Sequence, residues 1–311
     1  MEPTDKINLQ ISKIKNLPEI SAASMKIIDA VNDPDISINN LATVISVSPV
    51  LVGRLLGLAN SAYFGCRGEI TDVKVAIIRV LGLNLVKSLT MGVLLNLELD
   101  TRKCSQFNSE RFWMDALLTA TLSQQFSLLI RDEAIVPATA YTAGLLLNIG
   151  LIVAIYLLPE ESNLILLNAQ ENGSSISKEM TCLLGKNQYE LGGLLLERWH
   201  LPAIYQTVLK EFKNSAYSGS ENKMIALIKI CFALAKKIMS DQHDELPPLL
   251  KQLESFGHSA AVVQPYPFKQ QYDGDLLESS GLSAAVLQTF IDKILAKKDN
   301  IYLAALAITG K

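Results

Sequence analysis

Histidine is scarce in this chain of 311 residues: His200, His243 and His258 are the only three, and no two of them are neighbours. A hydrolytic zinc or two-metal centre gathers several histidines and carboxylates on its ions, so the usual form of such a centre is not written here. His243 and His258 fall in an irregular stretch and read as solvated side chains. His200 stands at a helix junction, where packing or capping is its expected work. The four cysteines, Cys66, Cys104, Cys182 and Cys231, form no C-x-x-C pair. That excludes a legible zinc ribbon or disulfide framework and fits a reducing compartment. Excess positive charge is missing too: 28 Lys and Arg face 31 Asp and Glu, for a net charge of -3. A protein that grips nucleic acid by its phosphates needs the opposite balance. No G-x-S-x-G elbow, phosphate-binding loop or dinucleotide fingerprint occurs, and no β alternation of any length. Met1 to Gln10 carries Glu2, Asp5 and Lys6 without an apolar stretch, unlike a secretory signal. A cytoplasmic location is the expectation.

What the chain does have is apolar residues, 49% of the total, at helical spacing. In the first hundred residues the stripes are Met25, Ile27, Ile28 and Val31; Ile38, Leu41, Ala42 and Ile45; Leu51, Val52, Leu55, Leu56 and Ala59; and Val73, Ala76, Ile77, Val80 and Leu81. The punctuation between them belongs to helices. Leu17-Pro18-Glu19 opens the first and Asn32-Asp33-Pro34 stops it. Ser37, Ser48 before Pro49, and Thr71 or Asp72 cap the next three, and Gly82 ends the series. A second block predicts helices over 112–129, 141–158, 177–184, 188–199 and 202–212. A polar linker follows over 213–222, then a helix over 224–239, an irregular segment over 241–281, and a final helix from a Ser283 cap to Lys298. The uncharged run 134–158 is long enough to span a bilayer. Its Pro137, Thr139, Thr142, Gly144, Asn148 and Gly150, with acidic flanks, predict a buried helix and no membrane span. Gly192-Gly193 inside a helical pattern predicts close helix packing. The Lys236-Lys237 and Lys297-Lys298 pairs read as solvated helix ends. The class is all-α.

At Leu17-Pro18, Asn32-Asp33-Pro34, Ser48-Pro49, Asn60-Ser61-Ala62-Tyr63-Phe64-Gly65, Ile70 and Ala76 to Gly82, the chain resembles the HDOD domain, a relative of the HD phosphohydrolases. Phe112-Trp113, Gly144-Leu145-Leu146, Ile149-Gly150, Glu190-Leu191-Gly192 and Trp199 with Leu201-Pro202 extend the likeness. The resemblance implies an HD-related multi-helix fold over 8–212, with an N-terminal helical lobe over about 8–100 and an HD-like lobe over about 107–212. A C-terminal helical extension, 213–311, is expected to pack on it. Asn60, Ser61, Tyr63, Phe64, Gly65, Gly82, Trp199 and Pro202 become structural signature positions. Asn60 and Ser61 would hold their loop through bonds to backbone, and Tyr63 and Phe64 would close the core.

HD enzymes carry histidines and a His-Asp pair where this sequence has Asp115, Leu147 with Asn148, Gln188, and Phe212 with Lys213. Leucine and phenylalanine give a metal nothing, so the resemblance implies a lost metal site with no catalytic residue, no metal and no cofactor. Asp115, Asn148, Gln188 and Glu190 remain as oxygen donors of a vestigial pocket, expected to bond one another rather than a cation. The function implied is a bacterial signalling module without chemistry of its own, bound to a signalling protein or to a second copy. A degenerate metal-dependent phosphohydrolase, or a small-ligand sensor in a remodelled pocket, is the alternative.

Overall fold

Serine and aspartate side chains start the helices of the N-terminal lobe. Each accepts a hydrogen bond from a backbone N–H that the first turn leaves without a partner. The computed structural model describes residues 21–62, 64–65, 68–130, 132, 134–240, 249, 253, 284–296 and 298–310. Ser21 caps α1 (Ala22–Asn32), Ser37 caps α2 (Ile38–Ile45), and Ser48 caps α3 (Pro49–Ala59), whose first residue is proline. The Leu17-Pro18-Glu19 opening lies outside the described residues. Asp72, not Thr71, caps α4 (Val73–Ala76), its carboxylate 2.9 Å from the Val75 N–H.

The helix expected to run on to Gly82 instead widens into a π turn over Ile77–Leu81, closed by Gly82 N–H to the Ile77 carbonyl at 2.8 Å. Gly82 has φ 75° and ψ 162°, a conformation that only glycine adopts without strain. The same residue starts α5 (Leu83–Glu98), so the chain turns sharply there. Leu41, Ile45, Leu51, Leu55 and Leu58 are all but sealed from solvent, each contributing about 2 kcal/mol by leaving water.

The second lobe is built on α6 (Ser109–Ile130), against which α7 (Pro137–Leu146) packs along its length. Gly144 permits the approach, since a Cβ there would stand 2.9 Å from the Ala120 Cα. The single helix expected over 141–158 is two, α7 and α8 (Ile149–Leu157), joined by a turn at Leu147–Asn148. All-round apolarity hides such a break, because both halves are buried. Pro137–Leu157 is long and apolar enough to cross a membrane, but 78% of its most apolar stretch is buried inside the protein.

There follow α9 (Pro159–Glu171), α10 (Ile176–Leu184), α11 (Gln188–Arg198) and α12 (Ala203–Lys210). Helix α9 has no counterpart among the expected helices, although Pro159 with Glu160 and Glu161 is a good helix start. His200 is exposed, so its ring does not pack as expected, but its left-handed backbone, φ 53°, takes part in capping the helix end. Leu201 N–H bonds the Leu196 carbonyl and His200 N–H the Glu197 carbonyl, the paired bonds of a Schellman helix end.

Beyond the linker, α13 (Asn222–Met239) lies on α6 and α7. The final helix ends earlier than expected: α14 (Ala284–Leu295) stops, and Lys298 starts α15 (Lys298–Thr309) rather than closing its predecessor. Helix α15 sits against α6 and also against α3 and α5, so it touches both lobes. Arg54 and Asn96 both donate to the Ile308 carbonyl, at 2.6 and 3.2 Å. No strand occurs among the described residues. The buried apolar side chains form one continuous core from Ile27 to Ile308.

Candidate functional site

The loop after α3 is fastened by one side chain. Asn60 donates through Nδ2 to the Ile70 carbonyl at 2.8 Å and accepts the Ile70 N–H at 2.7 Å, satisfying both backbone groups of a residue whose side chain is buried. Ser61 donates to the Leu58 carbonyl at 2.7 Å. Phe64 is half-buried against the core, Gly65 has φ 62°, and Tyr63 lies outside the described residues. Trp199 is buried, whereas Pro202 is exposed at the rim of a cleft between the lobes.

That cleft encloses about 250 Å³. Asn32, Asn84, Lys87 and Ser88 face it from α1 and α5, and Thr142 and Tyr205 from α7 and α12. Ser88 and Thr142 share a hydrogen bond of 2.5 Å across the two lobes. Burial raises the Tyr205 phenol pKa, an effect that bonds from Thr142 and Thr139 oppose. Burial lowers the Lys87 ammonium, against the attraction of Asp33 and Asp35.

Of the vestigial positions, Asn148 stands at the N-terminus of α8, and Gln188 and Glu190 in the first turn of α11. These two helices meet so closely that a Cβ on Gly150 would lie 1.9 Å from the Gln188 carbonyl oxygen and 2.4 Å from the Gly192 N. Gly192 is equally confined, with Leu209 Cδ2 at 2.8 Å from a notional Cβ, and Gly193 packs on Lys210. Asn187 caps α11, accepting from Glu190 N–H at 3.0 Å, while the Glu190 carboxylate accepts the Asn187 N–H at 2.9 Å. This is a complete capping box, and it commits Glu190 to the backbone. The Gln188 side chain is buried beside the Tyr189 phenol, and its Oε1 has no partner. Leu147 is fully buried, and Asn148 is half-buried at the start of α8 without a capping bond.

Asp115 turns elsewhere. Its Oδ2 accepts from Lys236 Nζ at 2.6 Å, and its Oδ1 is buried without a partner. Lys236 is therefore not simply a solvated helix end. It links α13 to α6 and stands 5.4 Å from the centroid of the Phe232 ring. Its spacing from Phe232 was a signal in the sequence; its partner, 121 positions away, was not. The four oxygen donors thus have separate surroundings and share no bond among the described residues. Nor do three His, Cys, Asp or Glu side chains converge there to hold a metal. The donor set does not fit the ions that the HD relationship implies: one carboxylate is neutralised by an ammonium and the other caps a helix.

Cys66 lies outside the described residues, and the other three cysteines are free thiols. Burial pushes the Cys231 thiol up to about 12 and raises that of Cys104. Cys182 is exposed.

The fold defines an all-α, HD-like protein of two helical lobes. The chain belongs to the HDOD domain family, whose profile matches residues 17–215. A solved structure of a provisionally named phosphohydrolase from Shewanella amazonensis superposes with a TM-score of 0.71 at 20% identity, covering 96% of this chain and 97% of its own. A provisionally named signal transduction protein from Marinobacter aquaeolei gives 0.70 at 22% identity, over 99% of this chain and 67% of its own. An HDOD domain protein of unknown function from Geobacter sulfurreducens gives 0.68 at 18%, over 96% and 99%. These likenesses establish the fold. An uncharacterised protein of Treponema pallidum is 29% identical over 217 residues. The match takes in 68% of this chain and spans 40% of that relative's length.

Proposed function

We propose that this protein is a bacterial, cytoplasmic regulatory module that acts by binding another protein and performs no chemistry of its own. The observation that supports it is the dispersal of the donors at the former metal positions: Glu190 is spent on the capping box, Leu147 lies in the core, and Asp115 is paired with Lys236. The Lys236 ammonium is committed there to the Asp115 carboxylate and not to a phosphoryl group. The test is tagged full-length protein as bait in extract of its own cells, beside hydrolysis assays on nucleotides and cyclic dinucleotides with Mn²⁺. Stoichiometric retention of one protein without turnover is expected. Turnover abolished by Asp115→Ala overturns the reading and restores a metal-dependent phosphohydrolase.

One observation favours a second reading, a small-ligand sensor. The cleft between the lobes has amide, hydroxyl and ammonium groups on the α1 and α5 wall and hydroxyls on the other, and the Ser88–Thr142 bond spans it. A polar ligand seated there would bear on the angle between the lobes. Thermal shift with a panel of nucleotides, compared between wild type and Ser88→Ala, tests it.

A further inference from the structure

The face of α13 that meets the former metal positions has a definite pattern. Lys229, Phe232 and Lys236 recur at intervals of three and four residues, so they lie on one side of the helix. Each finds something at or beside a position where HD enzymes have ligands. Lys236 pairs with Asp115, whose residue is only 7% exposed. Phe232 meets Phe212 edge to face, centroids 6.0 Å apart, and Phe212 in turn lies tilted against Tyr189, the neighbour of Gln188, with centroids 4.5 Å apart. Lys229 Nζ lies 5.9 Å from the Phe212 centroid. Helix α13 begins at Asn222, beyond the family match, which ends at residue 215.

A carboxylate this deeply buried is costly unless a cation accompanies it. Here the cation comes from the extension, and an aromatic ladder built from the former ligand region seats the helix that brings it. We infer that the Lys236 ammonium, by neutralising the buried Asp115 carboxylate, is the anchor that holds α13 in place on α6. The inference goes beyond the proposed function and does not depend on whether a protein partner exists. It also accounts for a buried aspartate in the middle of α6, since the charge anchors a neighbouring element.

The experiment is a double-mutant cycle on the full chain with Lys236→Met, which keeps the aliphatic stem, and Asp115→Asn. Thermal unfolding and hydrogen exchange over residues 222–239 are the readouts. Lys236→Met, which leaves the buried carboxylate without its half-exposed partner, is expected to lower Tm by about 2–4 °C and to speed exchange across α13 about tenfold. Asp115→Asn with Lys236→Met should recover most of both losses, because no charge is left unpaired. Lys236→Arg keeps the pair and should protect α13 nearly as well as wild type, which preserves the test if Lys236→Met fails to fold. Strictly additive single effects, or unchanged α13 protection in Lys236→Met, overturn the inference. So does stoichiometric uptake of Mn²⁺ by the wild-type protein that is lost in Asp115→Asn; no uptake is expected.

Discussion

In the N-terminal lobe the amide of Asn60 meets both backbone groups of Ile70, whereas in the second lobe Asp115, Gln188 and Glu190 turn to three different neighbours. Both sets sit at positions picked out by the family resemblance. The first set converges because its work is to close a loop, and a loop has fixed demands for donors and acceptors. The second set shares no bond among the described residues, and each side chain is held by neighbours of its own. Persistence of a polar residue is therefore weak evidence of chemistry; convergence is the better criterion.

The contrast can be tested by removing what each lobe depends on. The largest effect is expected from Gly150→Ala, where the new methyl would meet backbone atoms of α11 that cannot yield. A loss of about 4 kcal/mol or more is expected, read as a collapse of the urea midpoint or of soluble yield. Asn60→Ala should cost about 2–3 kcal/mol, because the Ile70 N–H and C=O both lose a partner; a loss below ~0.5 kcal/mol in urea unfolding would show that water replaces the amide. Asp132→Asn probes an ion pair at the edge of the second lobe. The Lys223 ammonium holds the Asp132 carboxyl below its usual value by a direct hydrogen bond. That stability is present above the unfolded carboxylate pKa of about 3.9 and is lost as pH falls through the lower folded value. The pair is half exposed on its lysine side, so its worth is under about 1 kcal/mol. Urea midpoints for the variant should therefore converge with wild type at the acid end of a pH 2–6 series. The smallest change, and a gain, is expected from His200→Gly: relief of the left-handed backbone should add about 0.5 kcal/mol, seen as a slightly higher Tm.

Much of the N-terminal lobe could be read from the sequence, since Ser37, Ser48 and Asp72 act on backbone groups three residues away and local chemistry is visible locally. The π turn could not, because Ile77 and Leu81 satisfy an α-helical stripe as well as a wider one. The break at Leu147–Asn148 was hidden by burial on every side. At the former metal positions the residue types were legible but their partners were not: Asp115 and Lys236 are 121 residues apart, and no periodicity connects them. Helix α9 is a different case, as Pro159 and its two glutamates announced it.

The bonds from Arg54 and Asn96 to the Ile308 carbonyl have a consequence for synthesis. Arg54 leaves the ribosome 254 residues ahead of Ile308, which at ordinary elongation rates is a wait of on the order of 10–50 s. During that interval the groove formed by α3, α5 and α6 lacks the helix that covers it, and its apolar walls face water. The nascent protein thus passes through a stage at which its N-terminal lobe is nearly complete and adhesive, and a chaperone that shields that groove would have its greatest effect then.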